Sequence, residues 1–109
     1  METIELRGTK SRRRVEIRFI EYCVSDGNYT YVYLKGEQPV LMAKTLLRFA
    51  EQLPNFIRIH KGTLVNPAHI IGHRSQKGNV LVCLSGDRAL LVSRRRATGF
   101  RQQLFGQTN

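Results

Sequence analysis

The stretch RIHKGTLVNPAHI, residues 58–70, combines a strand-like pattern with several cationic or titratable side chains. Ile57 and Ile59 alternate with charged or titratable residues, which predicts a strand that ends where a loop begins at Lys61 and Gly62. A charge at the end of a strand projects past the edge of the sheet and keeps its hydration. We therefore expect these cations to be available for contact with a groove.

The composition indicates a single basic domain. The chain has 109 residues, with 18 Lys and Arg against 8 Asp and Glu, for a formal net charge of +10. That excess favours a polyanionic partner, most commonly nucleic acid. No apolar run approaches the roughly 18 residues of a membrane span, and the N-terminus is charged throughout instead of resembling a signal peptide. We expect a cytoplasmic protein that does not bind membranes.

Outward from this stretch, short strands dominate. Alternation from Val15 to Val24 predicts a strand with a bulge, and Tyr29 to Leu34 predicts a second strand after a turn. The spacing of Leu46, Phe49, Ala50 and Leu53 predicts a short helix over 45–53, capped by Thr45. More strands follow from residue 56 to residue 92, and a last helix is predicted after Ser93. The expected fold is mostly β with one or two short helices.

The chain divides into a basic N-terminal segment, one domain and a short tail. Residues 1–14 have few apolar side chains and predict a basic arm or a weak edge strand. We expect the domain over 15–105 and a tail over 106–109. Three arginines of the N-terminal segment are candidates for positioning nucleic-acid phosphates: Arg12, Arg13 and Arg14.

Three consecutive arginines follow Ser93. If Ser93 is the N-cap, then Arg94, Arg95 and Arg96 occupy the first helical turn, where the macrodipole already presents about half a positive charge. Docked phosphates would make the arrangement favourable, because both the helix end and the guanidinium groups attract anions. The alternative is three solvated side chains on an exposed turn.

His60 also has two interpretations, a structural histidine whose ring nitrogen bonds a neighbouring carbonyl or a contact to a base. Lys61 precedes Gly62 and is difficult to bury, so we interpret it as functional. Asn66 before Pro67 is interpreted as a structural turn residue.

Signals for catalysis and for metal binding are weak. The sequence has no GxSxG motif, P-loop or paired carboxylates near a histidine, so we predict no enzyme and no cofactor. Cys23 and Cys83 are 60 residues apart and predict free thiols. His69 and His73 lack an acidic or thiolate partner nearby, which disfavours a metal site.

Several motifs together resemble the LytTR-type DNA-binding domain over about residues 15–104. The combination is specific, whereas no single piece of it is. The matching segments are YCVSDGN (22–28), Leu53-Pro54, FIRIHK (56–61), LVN (64–66), Ile70, VSRR (92–95), Phe100 and Leu104.

This resemblance implies an elongated arrangement of short antiparallel β-sheets with small helices. It implies DNA contacts from loops at Asn28, at Lys61 and at Arg94 and Arg95, reaching successive major grooves and bending the duplex. The assignment of Asn28 depends on the resemblance alone. Gly62 departs from the family, where a small hydroxyl residue is usual, so one phosphate hydrogen bond is expected to be missing.

The resemblance also implies partners. Family sites are commonly paired repeats occupied by two copies, and the domain usually follows a phosphorylatable receiver domain. Residues 1–14 are too short to contain a receiver, so we expect either a stand-alone regulator with a separate sensor protein or a piece of a longer chain.

The predicted function is a sequence-specific, double-stranded DNA-binding transcription regulator. One alternative is a small β-barrel that binds single-stranded nucleic acid by stacking bases on Tyr29, Tyr31 and Tyr33. These tyrosines also suit a half-buried cross-strand ladder. A second alternative is a basic module that binds acidic proteins.

Overall fold

The computed structural model describes residues 2–8 and 12–105, with side chains in the C-terminal helix described for residues 94–97, 99, 100 and 102. The molecule is elongated, with extents of 43 × 30 × 26 Å. Its strands are β1 (Thr3–Arg7), β2 (Arg12–Glu16), β3 (Ile20–Asp26), β4 (Tyr29–Leu34), β5 (Val40–Met42), β6 (Ile57–His60), β7 (Thr63–Val65), β8 (Ile70–Gln76), β9 (Asn79–Leu84) and β10 (Arg88–Val92). Its α-helices are α1 (Leu46–Gln52) and α2 (Arg94–Phe105).

A five-stranded antiparallel sheet with strand order β5-β4-β3-β7-β6 forms the centre of the molecule. Period-two alternation in β4 separates its two faces, because Thr30, Val32 and Leu34 are buried whereas Tyr31 and Tyr33 are half-buried. Both faces are apolar enough to take a packed layer. Each accordingly carries its own hydrophobic core.

The first core lies between one face of the central sheet, the β1–β2 hairpin and α1. Ile4 and Leu6 of β1 are buried in this core, and Phe49 of α1 is fully buried. Helix α1 begins at its predicted cap, where the Thr45 hydroxyl accepts a hydrogen bond from the Arg48 backbone amide at 3.4 Å. The capping orients the apolar side of the helix towards the sheet.

The second core lies between the other face of the central sheet, the three-stranded sheet β10-β9-β8 and α2. Tyr22 of β3 stacks on Tyr33 of β4 with ring centroids 4.3 Å apart and an interplanar angle of 11°. Phe100 of α2 is buried in the same core. Stacked rings of this kind stabilise a pair of strands by about 0.5–1.5 kcal/mol beyond their buried area.

The expected fold class is confirmed: the domain is mostly β, with short antiparallel sheets and two helices. The helix expected over 45–53 and the helix after Ser93 are both present. The continuous strand from Val15 to Val24 is wrong, because a 3-10 helix at Ile17–Phe19 separates β2 from β3. Ile20 closes this turn with a backbone hydrogen bond to the Ile17 carbonyl, which redirects the chain into the central sheet.

Other expectations differ in detail. The segment Thr63–Val65, predicted to be a loop after Gly62, is strand β7 and pairs with both β3 and β6. Of the alternatives for residues 1–14, the structure has a strand at Thr3–Arg7 that pairs with β2. The tail expected over 106–109 and the side chain of Leu104 lie outside the described residues.

Asn66 and the two cysteines are structural. The Asn66 side chain accepts a hydrogen bond from the Ala68 amide at 3.0 Å and donates one to the Ile20 carbonyl at 2.9 Å, as expected of a turn residue. Both thiols are free. Cys23 is fully buried in the first core, and burial raises its pKa to about 12, whereas Cys83 is half-buried.

Within the described residues, no helix is long and apolar enough to cross a membrane. Among the same residues, no group of three or more histidine, cysteine, aspartate or glutamate side chains is placed to bind a metal ion. The His69 ring instead hydrogen-bonds the Arg18 carbonyl at 2.6 Å.

Candidate nucleic-acid interface

Two exposed turns lie side by side at one end of the central sheet. The β3–β4 turn contains Asn28, and the β6–β7 turn contains Lys61. The Ser25 backbone amide donates a hydrogen bond of 2.9 Å to the Gly62 carbonyl, which ties the first hairpin to the second turn. The turns are about two strand spacings apart in the sheet, or roughly 10 Å. We call this end of the molecule, together with the start of α2, the tip.

The start of α2 joins the tip through the edge strand β6. The Ser93 amide donates a hydrogen bond of 2.8 Å to the Ile59 carbonyl, next to His60 and Lys61. The following turn presents Arg94 and Arg95 to solvent, and the first turn of α2 contains no acidic residue. The backbone connections therefore bring three predicted contact positions together, at Asn28, at Lys61 and at the arginines of α2.

Arg58 is a further cation at the tip, expected from the sequence to be available for contact with a groove but not named among the DNA-binding residues. One terminal nitrogen of its guanidinium donates a hydrogen bond of 2.6 Å to the Lys61 carbonyl. Its buried Nε has no hydrogen-bond partner. Burial lowers the pKa of Arg58, and the neighbouring charge of Arg96 lowers it further. In the sequence, Arg58 stands out as a charged residue between two apolar strand residues, Ile57 and Ile59.

His60 holds the turn that follows it. Its Nδ1 accepts a hydrogen bond from the Gly62 backbone amide at 3.2 Å. The expectation of a structural histidine therefore holds for this nitrogen, although the partner is an amide and not the expected carbonyl. An accepting Nδ1 carries no proton, so in the neutral ring the proton is on Nε2. That second nitrogen is left as a donor.

Gly62 and Ser25 fit closely against each other at the tip. A Cβ atom added to Gly62 would lie 2.8 Å from the Ser25 hydroxyl oxygen and 4.0 Å from its Cβ. The 2.8 Å distance is shorter than a van der Waals contact, so the glycine leaves room for the serine hydroxyl. Gly62 occupies the position where the family usually has a hydroxyl residue. A hydroxyl group is instead present beside it, on Ser25 of β3.

The predicted phosphate contacts Arg12, Arg13 and Arg14 lie on β2 and are exposed. Arg13 forms two hydrogen bonds with the Glu37 carboxylate, at 3.0 and 3.1 Å. Glu37 follows the end of β4 opposite to Asn28, so the six residues of β4 place this pair roughly 20 Å from the tip. Arg14 donates to the Thr3 hydroxyl at 3.1 Å. The structure does not bring Arg13 together with the tip residues.

The cations of the tip are free of carboxylate partners. The ion pairs among the described residues are Arg7–Glu5, Arg13–Glu37, Arg18–Glu16 and Arg88–Glu21, and none includes a residue of the tip. Unpaired guanidinium and ammonium groups on turns keep their donors available for an anion. The geometry therefore suits a long polyanion that lies across the tip.

A comparison with protein-family models identifies the family to which the chain belongs. The family model of the LytTr DNA-binding domain matches residues 10–105. The chain belongs to the LytTr DNA-binding domain family. Membership confirms the resemblance of the sequence motifs, and this family is one of DNA-binding domains and not of enzymes.

A solved structure supports the same assignment. The LytTr DNA-binding domain of a protein described as a methyl-accepting/DNA response regulator from Bacillus cereus superposes with a TM-score of 0.79 and 25% sequence identity. The match covers 95% of this chain and 97% of that chain. A comparison with curated protein sequences gave no match.

Proposed function

We propose that this LytTr domain is a sequence-specific, double-stranded DNA-binding transcription regulator that reads major grooves through its tip. The supporting observation is that cations without carboxylate partners among the described residues lie together with the Asn28 side-chain amide at the tip. The chain as a whole has a net charge of +10. Side chains on turns reach base edges without a recognition helix. The domain would act in the cytoplasm, where the chromosome of a bacterium lies.

The chemistry of the tip residues divides into base reading and backbone contact. The Asn28 amide suits the N6 and N7 edge of adenine, and Arg94 and Arg95 suit guanine. Asn28 and Lys61 are about 10 Å apart, which fits a major groove about 12 Å wide. The arginines at the start of α2 extend the contact further along the duplex. His60 contributes its Nε2 as a donor, and Arg96 contributes charge beside Arg58.

Binding curves on duplex libraries test this proposal. We expect the protein to select a preferred site from random duplexes and to bind it far more tightly than a shuffled duplex at physiological salt. Affinity should fall on the order of a thousandfold or more between 50 and 200 mM salt if six or more phosphates are contacted. Equal affinity for selected and shuffled duplexes would reject sequence-specific reading.

Contacts by Arg12, Arg13 and Arg14 with phosphates form a separate part of the proposal. Their distance from the tip suits a duplex that bends towards β2. Arg13→Ala should then weaken binding to all duplexes about equally, whereas Arg95→Ala should also relax the preference at one base. Unchanged binding of Arg13→Ala would remove Arg13 from the interface.

The partners expected of such a regulator are paired DNA repeats that bind two copies, and a separate sensor protein. Titration of a duplex with one or two half-sites, followed by mass measurement of the complexes, counts the bound copies. A single copy on the duplex with two half-sites would remove the paired arrangement.

Binding of single-stranded nucleic acid is a second candidate. Tyr29 is 46% exposed, but Tyr31 is half-buried and Tyr33 stacks on Tyr22. A base would have to separate Tyr33 from its partner, so the face suits a cross-strand ladder better than a stacking platform. Quenching of tyrosine fluorescence by oligo-dT, without quenching by duplex DNA, would favour this candidate. Binding to an acidic protein with no response to DNA would favour a protein-interaction module.

A further inference from the structure

The β8–β9 hairpin carries one more exposed turn, which contains Lys77 and Gly78. Ser75 pairs with Val80 across this hairpin, and Val80 also pairs with Val92 of β10. Antiparallel pairing therefore places the turn at the end of the three-stranded sheet where β10 finishes. Helix α2 begins directly after that strand end.

This end of the three-stranded sheet is part of the tip. The hydrogen bond from the Ser93 amide to the Ile59 carbonyl joins the end of β10 to the end of β6. The turn lies between β8 and β9, one to two strand spacings from β10, or about 5–10 Å. Lys77 follows Gln76, which pairs with Asn79, so Lys77 lies two positions beyond the level of Val80 and Val92. Arg94 is likewise two residues beyond Val92 in the chain, so both residues extend past the same end of the sheet.

The backbone of the turn is unusual for a lysine. Lys77 has φ 52° and Gly78 has φ 83°, so two successive residues adopt left-handed conformations. Two-residue hairpin turns of this kind favour Asn-Gly or Asp-Gly, since few other residues tolerate a positive φ. An uncommon residue in such a conformation is a reason to look for a function.

The other hairpin of the same sheet provides the contrast. Its turn at Gly86 and Asp87 also has two positive φ angles, of 80° and 61°. Aspartate suits that conformation, and this acidic turn lies at the end of the sheet away from the tip. The Lys77–Gly78 turn has two residues and the Ser85–Asp87 turn has three, yet both contain two residues with positive φ. They differ in charge, so the need for a positive φ does not explain the lysine.

We propose that Lys77 is a further DNA contact, which binds a backbone phosphate beside the segment that Arg94 and Arg95 contact. The proposal deepens the proposed function and depends on it. Lys77 is exposed, and none of the ion pairs among the described residues includes it. A compact ammonium group on a flexible stem suits a phosphate better than the planar edge of a base. Lys77 would therefore add affinity without adding sequence preference.

The test compares Lys77 with an exposed cation on an element that carries none of the proposed DNA contacts. Lys77→Asn removes the charge and keeps a residue that tolerates a positive φ, and Lys77→Arg keeps the charge. Arg48→Gln is the control, because it removes one positive charge at an exposed position of α1 and keeps a residue that suits a helix. Affinity is measured by fluorescence anisotropy on a selected and a shuffled duplex at several salt concentrations, alongside thermal unfolding.

For Lys77→Asn, the slope of log affinity against log salt should become smaller by about one, equally on both duplexes. Between 50 and 200 mM salt, the factor by which affinity falls should be roughly threefold smaller for the variant than for the natural sequence. Lys77→Arg and Arg48→Gln should keep the original slope, and Lys77→Asn should unfold at no lower temperature.

An unchanged slope for Lys77→Asn, or an equal change for Arg48→Gln, would overturn the phosphate contact. Loss on the selected duplex alone would also overturn it, because that pattern indicates base reading. Failure of the proposed function has a different signature: the natural sequence itself would show no preference for the selected duplex.

Discussion

The two ends of the central sheet differ in how their charges are arranged. At the tip, Lys61, Arg94 and Arg95 have no carboxylate partners among the residues that the structure describes, and Asp26 is the acidic residue at the end of β3. At the opposite end, which we call the base, arginines are paired: Arg13 with Glu37 and Arg88 with Glu21. These two ion pairs connect elements of the fold, whereas the charges of the tip are left for a partner. The positions of the charges are therefore more informative than the net charge.

The strongest test of this difference reverses charge at each end. Arg94→Glu with Arg95→Glu should lower the affinity for the selected duplex at least about a hundredfold, since each arginine contact contributes roughly 1–3 kcal/mol. Arg18→Glu with Lys35→Glu changes the net charge equally at the base and should cost far less. Anisotropy titrations of both double variants make the comparison. Equal losses would show that net charge alone drives binding.

A smaller effect is expected from Arg58, which supports the turn at Lys61 through a hydrogen bond to its carbonyl. Arg58→Met should weaken specific binding by roughly 1 kcal/mol, or about fivefold, because that carbonyl loses a charged donor. Arg58→Lys should recover only part of the loss, since an ammonium lacks the guanidinium geometry. Arg48→Met, at an exposed position of α1, is the control, and a loss of equal size there would contradict a specific role for Arg58.

Gly62 and Ser25 allow a test of the packing at the tip. Gly62→Ala should lower the free energy of unfolding by about 1 kcal/mol, the lower end of the cost of overpacking, because its Cβ would meet the Ser25 hydroxyl. In a Ser25→Ala background the same change should be neutral or stabilising, since the nearest contact is then the 4.0 Å Cβ distance. Denaturant unfolding of the four proteins measures the coupling. Purely additive effects would show that the two residues do not interact.

The smallest effect is expected at the base, for the Glu37 ion pair. The hydrogen bond from Arg13 lowers the pKa of Glu37 in the folded protein. The pair therefore contributes stability above the ordinary glutamate pKa, and the contribution is lost as the pH falls through the lowered folded value. Glu37→Gln should slightly flatten the decrease in stability on acidification. Unfolding curves from pH 2 to pH 7, with Glu51→Gln as the control, measure this dependence.

The sequence predicted most of the fold because its signals were local. Helix α1 begins after Thr45 as expected, and alternation correctly predicted the strand Tyr29–Leu34. The short strand Thr63–Val65 was missed, since three residues carry little periodicity and this strand depends on pairing with β3 and β6. Similarly, the break at Ile17–Phe19 follows from how the β1–β2 hairpin packs on the central sheet.

The candidate site was predictable only in part. Charge at Lys61 and after Ser93 stands out in the sequence, whereas Asn28 depended on the family resemblance. Arg58 lies only three residues before Lys61, but its hydrogen bond to the Lys61 carbonyl depends on the shape of the turn between them. The role of Lys77 follows from long-range features, the pairing of β8 with β9 and of β9 with β10. Such features join residues that are separate in the chain, so no local pattern announces them.

The two thiols offer a chemical handle that needs no mutation. Only the thiolate form reacts readily with maleimides, and the buried Cys23, with its pKa of about 12, stays protonated near neutrality. Cys83 is half-buried, in the middle strand of the three-stranded sheet, opposite Gly72 of β8. A fluorophore should therefore attach selectively at Cys83, away from the turns of the tip, and would report rotation of the natural sequence on a DNA duplex.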